Sequence, residues 1–272
     1  MEAQAQRAEF WTDLASAARA LVSQPSVPLV SLAVMLLPNA PRSADHSILT
    51  MLFGAADTAS VFFLFGWYGA ERVFFQRHLG GRPVTLRHLV ALVPKFIDRF
   101  FVLGVQVGIV FLTYSFGLAR VLGIDIAHIA DTGPPVPLSF QVILTAFLIA
   151  MDFVLTFVTP ALAYTTRSAG RALGIGFAMI RHTWPRSALY VLCPPLALNA
   201  LNYVFPVGGL GVHFLLTSVF VLVGLLAKGA IAAFYLRECG SFSDDGAAYI
   251  TADDEPSGSV RLTTLIDDRQ LR

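Results

Sequence analysis

Three ionisable side chains stand far inside apolar runs of this chain: Asp57, Asp152 and Lys228. A charge in hydrocarbon costs several kcal/mol unless it pairs, takes a proton or meets water. The chemistry such residues support is a proton or cation path, or a polar substrate site. The alternative is a structural ion pair that pins one helix to another. A second constellation is Cys193-Pro194-Pro195, where two backbone donors are missing inside an apolar run. Asn199 and Asn202 stand about one turn beyond it, on one face. Broken helices with polar side chains carry binding sites in several transporter folds. The plainer reading is a packing kink, with the asparagines bonded to neighbouring helices. Asp57, Asp152, Asn199, Asn202 and Lys228 are therefore the candidate substrate-binding residues. Counted back from the predicted inner ends of their spans, Lys228 and Asp152 lie within ~6 Å of one level, so Lys228 is expected to pair with Asp152 rather than Asp57.

His46, His128 and His213 fall toward one predicted face, with Asp45, Asp125 and Asp131 nearby. In IDIAHIAD the acids stand three before and three after His128. Histidine and carboxylate suit zinc, but no tight ligand spacing links the three loops, and interfacial histidines account for them. No metal or cofactor is assigned. The chain has no phosphate-cradling loop, paired-carboxylate arrangement or nucleophile motif, and Ser115-Phe116-Gly117 lacks the context a serine nucleophile needs. It reads as non-enzymatic.

The elements that must position these residues follow from composition. Of 272 residues, 56% are hydrophobic and 14% charged, against about 25% charged in a soluble domain. That leaves too little polar surface to face water, so the bulk solvent is lipid. The formal net charge is +1, and the basic residues flank apolar runs instead of forming a solvated patch, which argues against nucleic acid. Cys193 and Cys239 make no disulfide framework. The polar N-terminus, with Glu2, Glu9 and Asp13, does not read as a cleavable signal peptide.

Residues 3–21 place Phe10, Trp11, Leu14, Ala17, Ala18 and Leu21 at helical spacing, predicting an amphipathic helix on the membrane surface. A first span follows only if its helix begins near Ala20 and runs through VPLVSLAVMLL. The other spans are Ser47–Ala70, Phe100–Gly123, Pro137–Tyr164, Ala188–Val207 (interrupted by the prolines) and Val212–Leu236. Trp11, Trp67, Tyr68 and Trp184 read as interfacial aromatics. Gly104 and Gly108 form a small-residue face for close helix approach, through which a protein partner or a second copy could dock. Membrane lipids are the other expected partner. The expected fold is all-α: six transmembrane helices as three hairpins over residues 1–237, then an acidic, disordered tail at 238–272. Within that tail AAYIT and VRLTTL could pair as a marginal hairpin.

Charge segregation sets the orientation. Arg72, Arg77, Arg82, Arg87, Lys95 and Arg99 follow the second span, and Arg167, Arg171, Arg181 and Arg186 follow the fourth. The loops after spans three and five hold no Lys or Arg. The positive-inside rule places the basic joints and both termini in the cytoplasm, in a bacterial inner membrane. Two residues dissent: Arg42, offset by Asp45, and Arg120, which can snorkel or meet Asp125. Three times an amphipathic stretch leads into an outgoing span: LASAARALVSQPSVPLVSLAV, LRHLVALVPKFIDRFFVLGV and LGIGFAMIRHTWPRSALYVL.

The third of these carries Ala172, Leu173, Phe177, Arg181 and Trp184. In this it resembles the repeated cytoplasmic segment of a group of bacterial six-helix membrane proteins that includes the membrane domain of some glycerophosphodiester phosphodiesterases. GGRPVTLRHLVALVPKF is similar to that group's other basic connector. The chain departs from the pattern at Gly176, His182 and Pro185 and carries no phosphodiesterase domain. The resemblance implies architecture and a bacterial setting, and supplies no reaction. The expected function is a non-enzymatic accessory or scaffold protein of the inner membrane; the alternative is a small transporter or permease using the intramembrane Asp and Lys residues and a proline-broken fifth helix. Reporter fusions after Arg87 and Arg181 should read cytoplasmic, and fusions after Asp131 and Gly209 external; an external reading at either basic joint overturns the orientation.

Overall fold

In the computed structural model the described residues are 2–36, 48–82, 84–124, 137–204 and 210–239; the side chains of 2–5, 48–58, 198, 199, 201–204 and 210–213 lie outside that description. The tail hairpin and the loops holding His46 and His128 therefore also fall outside it. All described secondary structure is helical: α1 (Glu2–Ser23), α2 (Ser26–Leu36), α3 (Ile48–Leu79), α4 (Leu86–Val121), α5 (Leu138–Tyr164), α6 (Ala169–Thr183), α7 (Ala188–Val204) and α8 (Leu210–Cys239).

Among the described residues, three segments are long and apolar enough to cross a membrane: α4, α5 and Phe214–Cys239 of α8. The pair α1–α2 passes the same test taken together, giving up to four. Only 6% of the most apolar window of α4 is buried, and 17% of that of α5. Val105, Ile109, Leu112 and Phe116 of α4 and Val142 and Leu148 of α5 point outward. An apolar surface of that extent does not stand in water. The chain is a multi-pass membrane protein.

Burial is concentrated at the other ends of these helices, where the connections are short and basic. Phe74, Phe75, Phe157, Leu162, Tyr190, Phe234 and Tyr235 are enclosed there. The turn after α3 is closed by Gly81 at φ 71°, a left-handed conformation that only glycine takes without strain, and Arg82 N–H reaches Arg77 C=O at 2.9 Å. Thr85 then caps α4, its side chain accepting from the His88 N–H.

The amphipathic helices close this end. In α6 the residues Ala169, Ala172, Gly176, Met179, Ile180 and Thr183 are buried at helical spacing while Arg171 and Arg181 face out. In α1, Phe10, Ala17, Ala20 and Leu21 are buried and Trp11 is 62% exposed. Asp13 accepts from Tyr190 of α7 at 2.6 Å and from Arg237 of α8 at 2.9 and 3.1 Å, so α1 is clasped to the bundle.

Several expectations are corrected. The first span does not run unbroken from Ala20: α1 and α2 meet at 88°, because Pro25 disfavours helical backbone at Gln24. The amphipathic stretch before the third span and the span itself are one 36-residue helix, α4. Its buried stripe (Leu89, Leu92, Val93, Phe96, Phe100, Leu103) runs through Pro94 without a change of phase. Helix α7 likewise continues through Pro194 and Pro195. Their rings fix a φ close to the helical one, so the cost is two lost donors and not a break. Helix α3 does not end at Ala70 but extends to Leu79. Trp67, expected at an interface, is 1% exposed. Gly104 is occupied within the chain: a Cβ there would stand 2.5 Å from the Phe65 ring, whereas Gly108 has nothing within 4 Å.

A Cβ on Gly229 would stand 2.4 Å from that of Ala17 and 2.6 Å from the Phe75 ring. Gly229→Val should therefore lower stability by at least about 1–3 kcal/mol, read by thermal unfolding in lipid nanodiscs, while Gly108→Val should leave the melting temperature unchanged.

Candidate binding cavity

The extension of α3 past Ala70 carries Glu71 and Arg72 into the bundle, each 3% exposed. A helix continues through two charges in a nonpolar setting only when neighbouring elements satisfy them. Here α2, α5 and α8 do so. Lys228 Nζ of α8 donates to Glu71 Oε2 at 2.5 Å. Ser31 Oγ of α2 donates to Glu71 Oε1 at 2.5 Å and accepts from Trp67 Nε1 at 2.9 Å. The Lys228 ammonium also stands 3.6 Å from the centre of the Tyr68 ring, a cation–π contact.

Arg72 makes a different set of contacts. Its guanidinium donates to the Lys228 carbonyl at 3.3 Å and to Thr159 Oγ1 of α5 at 2.6 Å. Its backbone carbonyl accepts from the Tyr164 hydroxyl at 2.8 Å. No described carboxylate lies within ion-pairing distance of this guanidinium, and Arg72 Nε meets no acceptor among the described residues. Among the described residues the buried group therefore holds two cations, Arg72 and Lys228, against one anion, Glu71.

Beside it lies a cavity of about 350 Å³ among α3, α4, α5, α7 and α8. Arg72, Lys228, Asp152, Tyr68, Thr156 and Thr159 give it polar groups; Phe65, Phe100, Leu103, Val107, Leu155 and Ile231 give it apolar walls. Pro194 and Pro195 line it as well. The volume is in the lower part of the range of small-molecule sites, roughly 300–1,000 Å³. Asp152 is exposed near the middle of α5; its carbonyl accepts from Thr156 Oγ1 at 2.8 Å, but its carboxylate makes no hydrogen bond or ion pair with any described residue, so the cavity reaches the surface at its level. Seven residues along α5 separate it from Thr159, about 10 Å of helix rise.

Of the residues proposed from sequence, Asp152 and Lys228 meet at this cavity, and the double proline joins them. Asp57, Asn199 and Asn202 have side chains outside the described set, as does His213. The expected partner of Lys228 is corrected: it is Glu71, not Asp152. The counting of levels assumed that α3 ends at Ala70, which set Glu71 outside the membrane among connector residues. Glu71 and Arg72 were missed for that reason. The available signal was the apolar run Val73-Phe74-Phe75 directly after them, which marks a helix still buried.

Comparison with known proteins adds nothing to this geometry: no family model, curated protein or solved structure matches the chain.

Removing one member of a buried pair leaves an uncompensated charge, on the order of 3–5 kcal/mol, whereas removing both costs far less. Lys228→Met should destabilise the protein by that amount, and adding Glu71→Gln should restore much of it. Rescue by Asp152→Leu in place of Glu71→Gln, in the same unfolding assay, would contradict the pairing.

Proposed function

We propose that the protein is a small membrane-embedded carrier of the permease type, which takes its cargo into the cavity among α3, α4, α5, α7 and α8. The observation that carries this reading is the meeting of Asp152, Arg72, Lys228 and Pro194–Pro195 around one cavity. An unpaired carboxylate halfway along an apolar helix is costly in lipid unless it faces water, a proton or a cargo. Helix α7, lacking the donors that the Tyr190 and Val191 carbonyls would receive from residues 194 and 195, is softened beside the cavity. Polar groups set in apolar walls are the composition of a small-molecule site. No covalent chemistry is assigned.

The proposed setting is a bacterial inner membrane crossed six times, with both termini in the cytoplasm. The arginine segregation supports it, as does the resemblance of Ala172, Leu173, Phe177, Arg181 and Trp184 to the six-helix group. Helix lengths also bear on it. The 32 residues of α3 span about 48 Å and the 17 of α7 about 26 Å, beside a hydrocarbon core of roughly 30 Å. The 11 residues of α2 reach about 16 Å, so the first crossing needs more than this helix.

A second reading, a non-enzymatic accessory or scaffold protein, is favoured by the closed Glu71–Lys228 pair, which leaves Lys228 without a free charge to offer a cargo. Gly224 separates the two. It lines the cavity, and a Cβ on it would meet nothing within 4 Å, so Gly224→Leu fills the cavity without a backbone clash. Mass spectrometry of protein purified in native lipid should find a small molecule with the wild type that is lost from Gly224→Leu at equal yield of folded protein. A stoichiometric protein partner retained by both forms, with no such molecule, would replace the carrier reading with the scaffold one.

A further inference from the structure

Resting on the carrier reading, we infer that the cavity takes a single-chain amphiphile with an anionic head, a phosphate or a carboxylate, held at Arg72. Three observations carry it. The first is charge: the buried group at the closed end of the cavity has two cations and one anion, and the anion, Glu71, is committed to Lys228 and Ser31. The second is the state of Arg72, 97% buried by its 3% exposure and lining the cavity: among the described residues it is bonded only to neutral oxygens, and its Nε–H has no acceptor. A guanidinium presents donors in a planar fork that matches phosphate or carboxylate, and such charge-assisted bonds are about twice as strong as neutral ones. The third is the lining: away from Arg72 the walls are Phe65, Leu103 and their apolar neighbours over a length of about 12 Å, from Arg72 back to Leu64 along α3. A bare inorganic anion would leave those walls unused; a neutral chain would leave Arg72 unanswered. Asp152 lies about 10 Å along α5 from the bond between Thr159 and Arg72. An anionic head is thus repelled from the open level and attracted at the closed one.

The test uses the full chain in phosphatidylcholine nanodiscs, titrated with radiolabelled dodecyl phosphate, dodecanol, dodecylamine and inorganic phosphate, with empty nanodiscs as the blank. Dodecyl phosphate should bind saturably and about tenfold more tightly than dodecanol, a difference of about 1.4 kcal/mol. Dodecylamine and inorganic phosphate should show no saturable binding. Arg72→Gln should bring dodecyl phosphate down to the level of dodecanol, and Arg72→Lys should keep part of the preference. Should Arg72→Gln yield no folded protein, the ligand order on the wild type decides. Equal binding of dodecanol, or tighter binding of dodecylamine, removes the anionic head from the inference; inorganic phosphate binding as tightly as dodecyl phosphate removes the tail. Either overturns it. If dodecanol binding is abolished by Gly224→Leu while no anion preference exists, the cavity still takes a cargo and only this inference fails. If no compound is sensitive to Gly224→Leu, the carrier reading fails with it.

Discussion

The ion pair between Glu71 and Lys228 is the constraint on which the arrangement of helices depends. It lies inside the bundle, with the glutamate carboxylate also bonded to Ser31 and the ammonium seated on the Tyr68 ring. Each charge makes the other tolerable, and neither helix can slide by a turn without leaving a buried charge uncompensated. Because Ser31, Glu71 and Lys228 belong to three helices, α2, α3 and α8 are fixed in register together. Arg72, through Thr159 and Tyr164, adds α5 to the same level. One polar layer thus sets the relative depth of four helices in a medium that offers no hydrophobic force between them.

That layer also explains the uneven distribution of packing. On its basic side the helices are covered by α1 and α6, and aromatic side chains such as Phe74, Phe157 and Tyr235 are fully enclosed. On its other side, α4, α5 and α8 turn apolar side chains outward, as lipid-facing helices do. Gly176 lies against Val158 and Gly229 against Ala17 and Phe75 on the enclosed side, and Gly104 lies against Phe65 beside the cavity, whereas Gly108, Gly117 and Gly224 meet nothing. The cavity lies where the enclosed part opens into the exposed part, bounded by the charge layer at one end and by Asp152 at the other. Its polarity runs along its length, and an amphiphile fits that gradient better than a uniformly polar or uniformly apolar molecule.

Much of the chain's character is written in its linear order. The shortage of charge and the long apolar runs determine a membrane protein, because no folding of 56% hydrophobic residues hides them all from water. The helix positions over 138–164, 188–204 and 210–239 follow from runs bounded by Pro, Gly and basic residues, and the amphipathic character of α6 from the spacing of Ala172, Gly176, Met179 and Ile180. Asp152, Lys228 and the double proline could be picked out one by one, since a charge or a proline in an apolar run is conspicuous wherever it faces. What the order of residues could not give was their grouping. Glu71 and Arg72 read as the start of a solvated connector, because burial of a charge depends on a partner supplied by a distant segment, Lys228 for one and Thr159 for the other. The right-angled bend at Gln24–Pro25, the continuity of α4 through Pro94 and the filling of Gly104 by Phe65 were likewise decided by what packs alongside. Local sequence sets what a backbone tolerates; only tertiary contact sets which tolerated path is taken and which charges share a cavity.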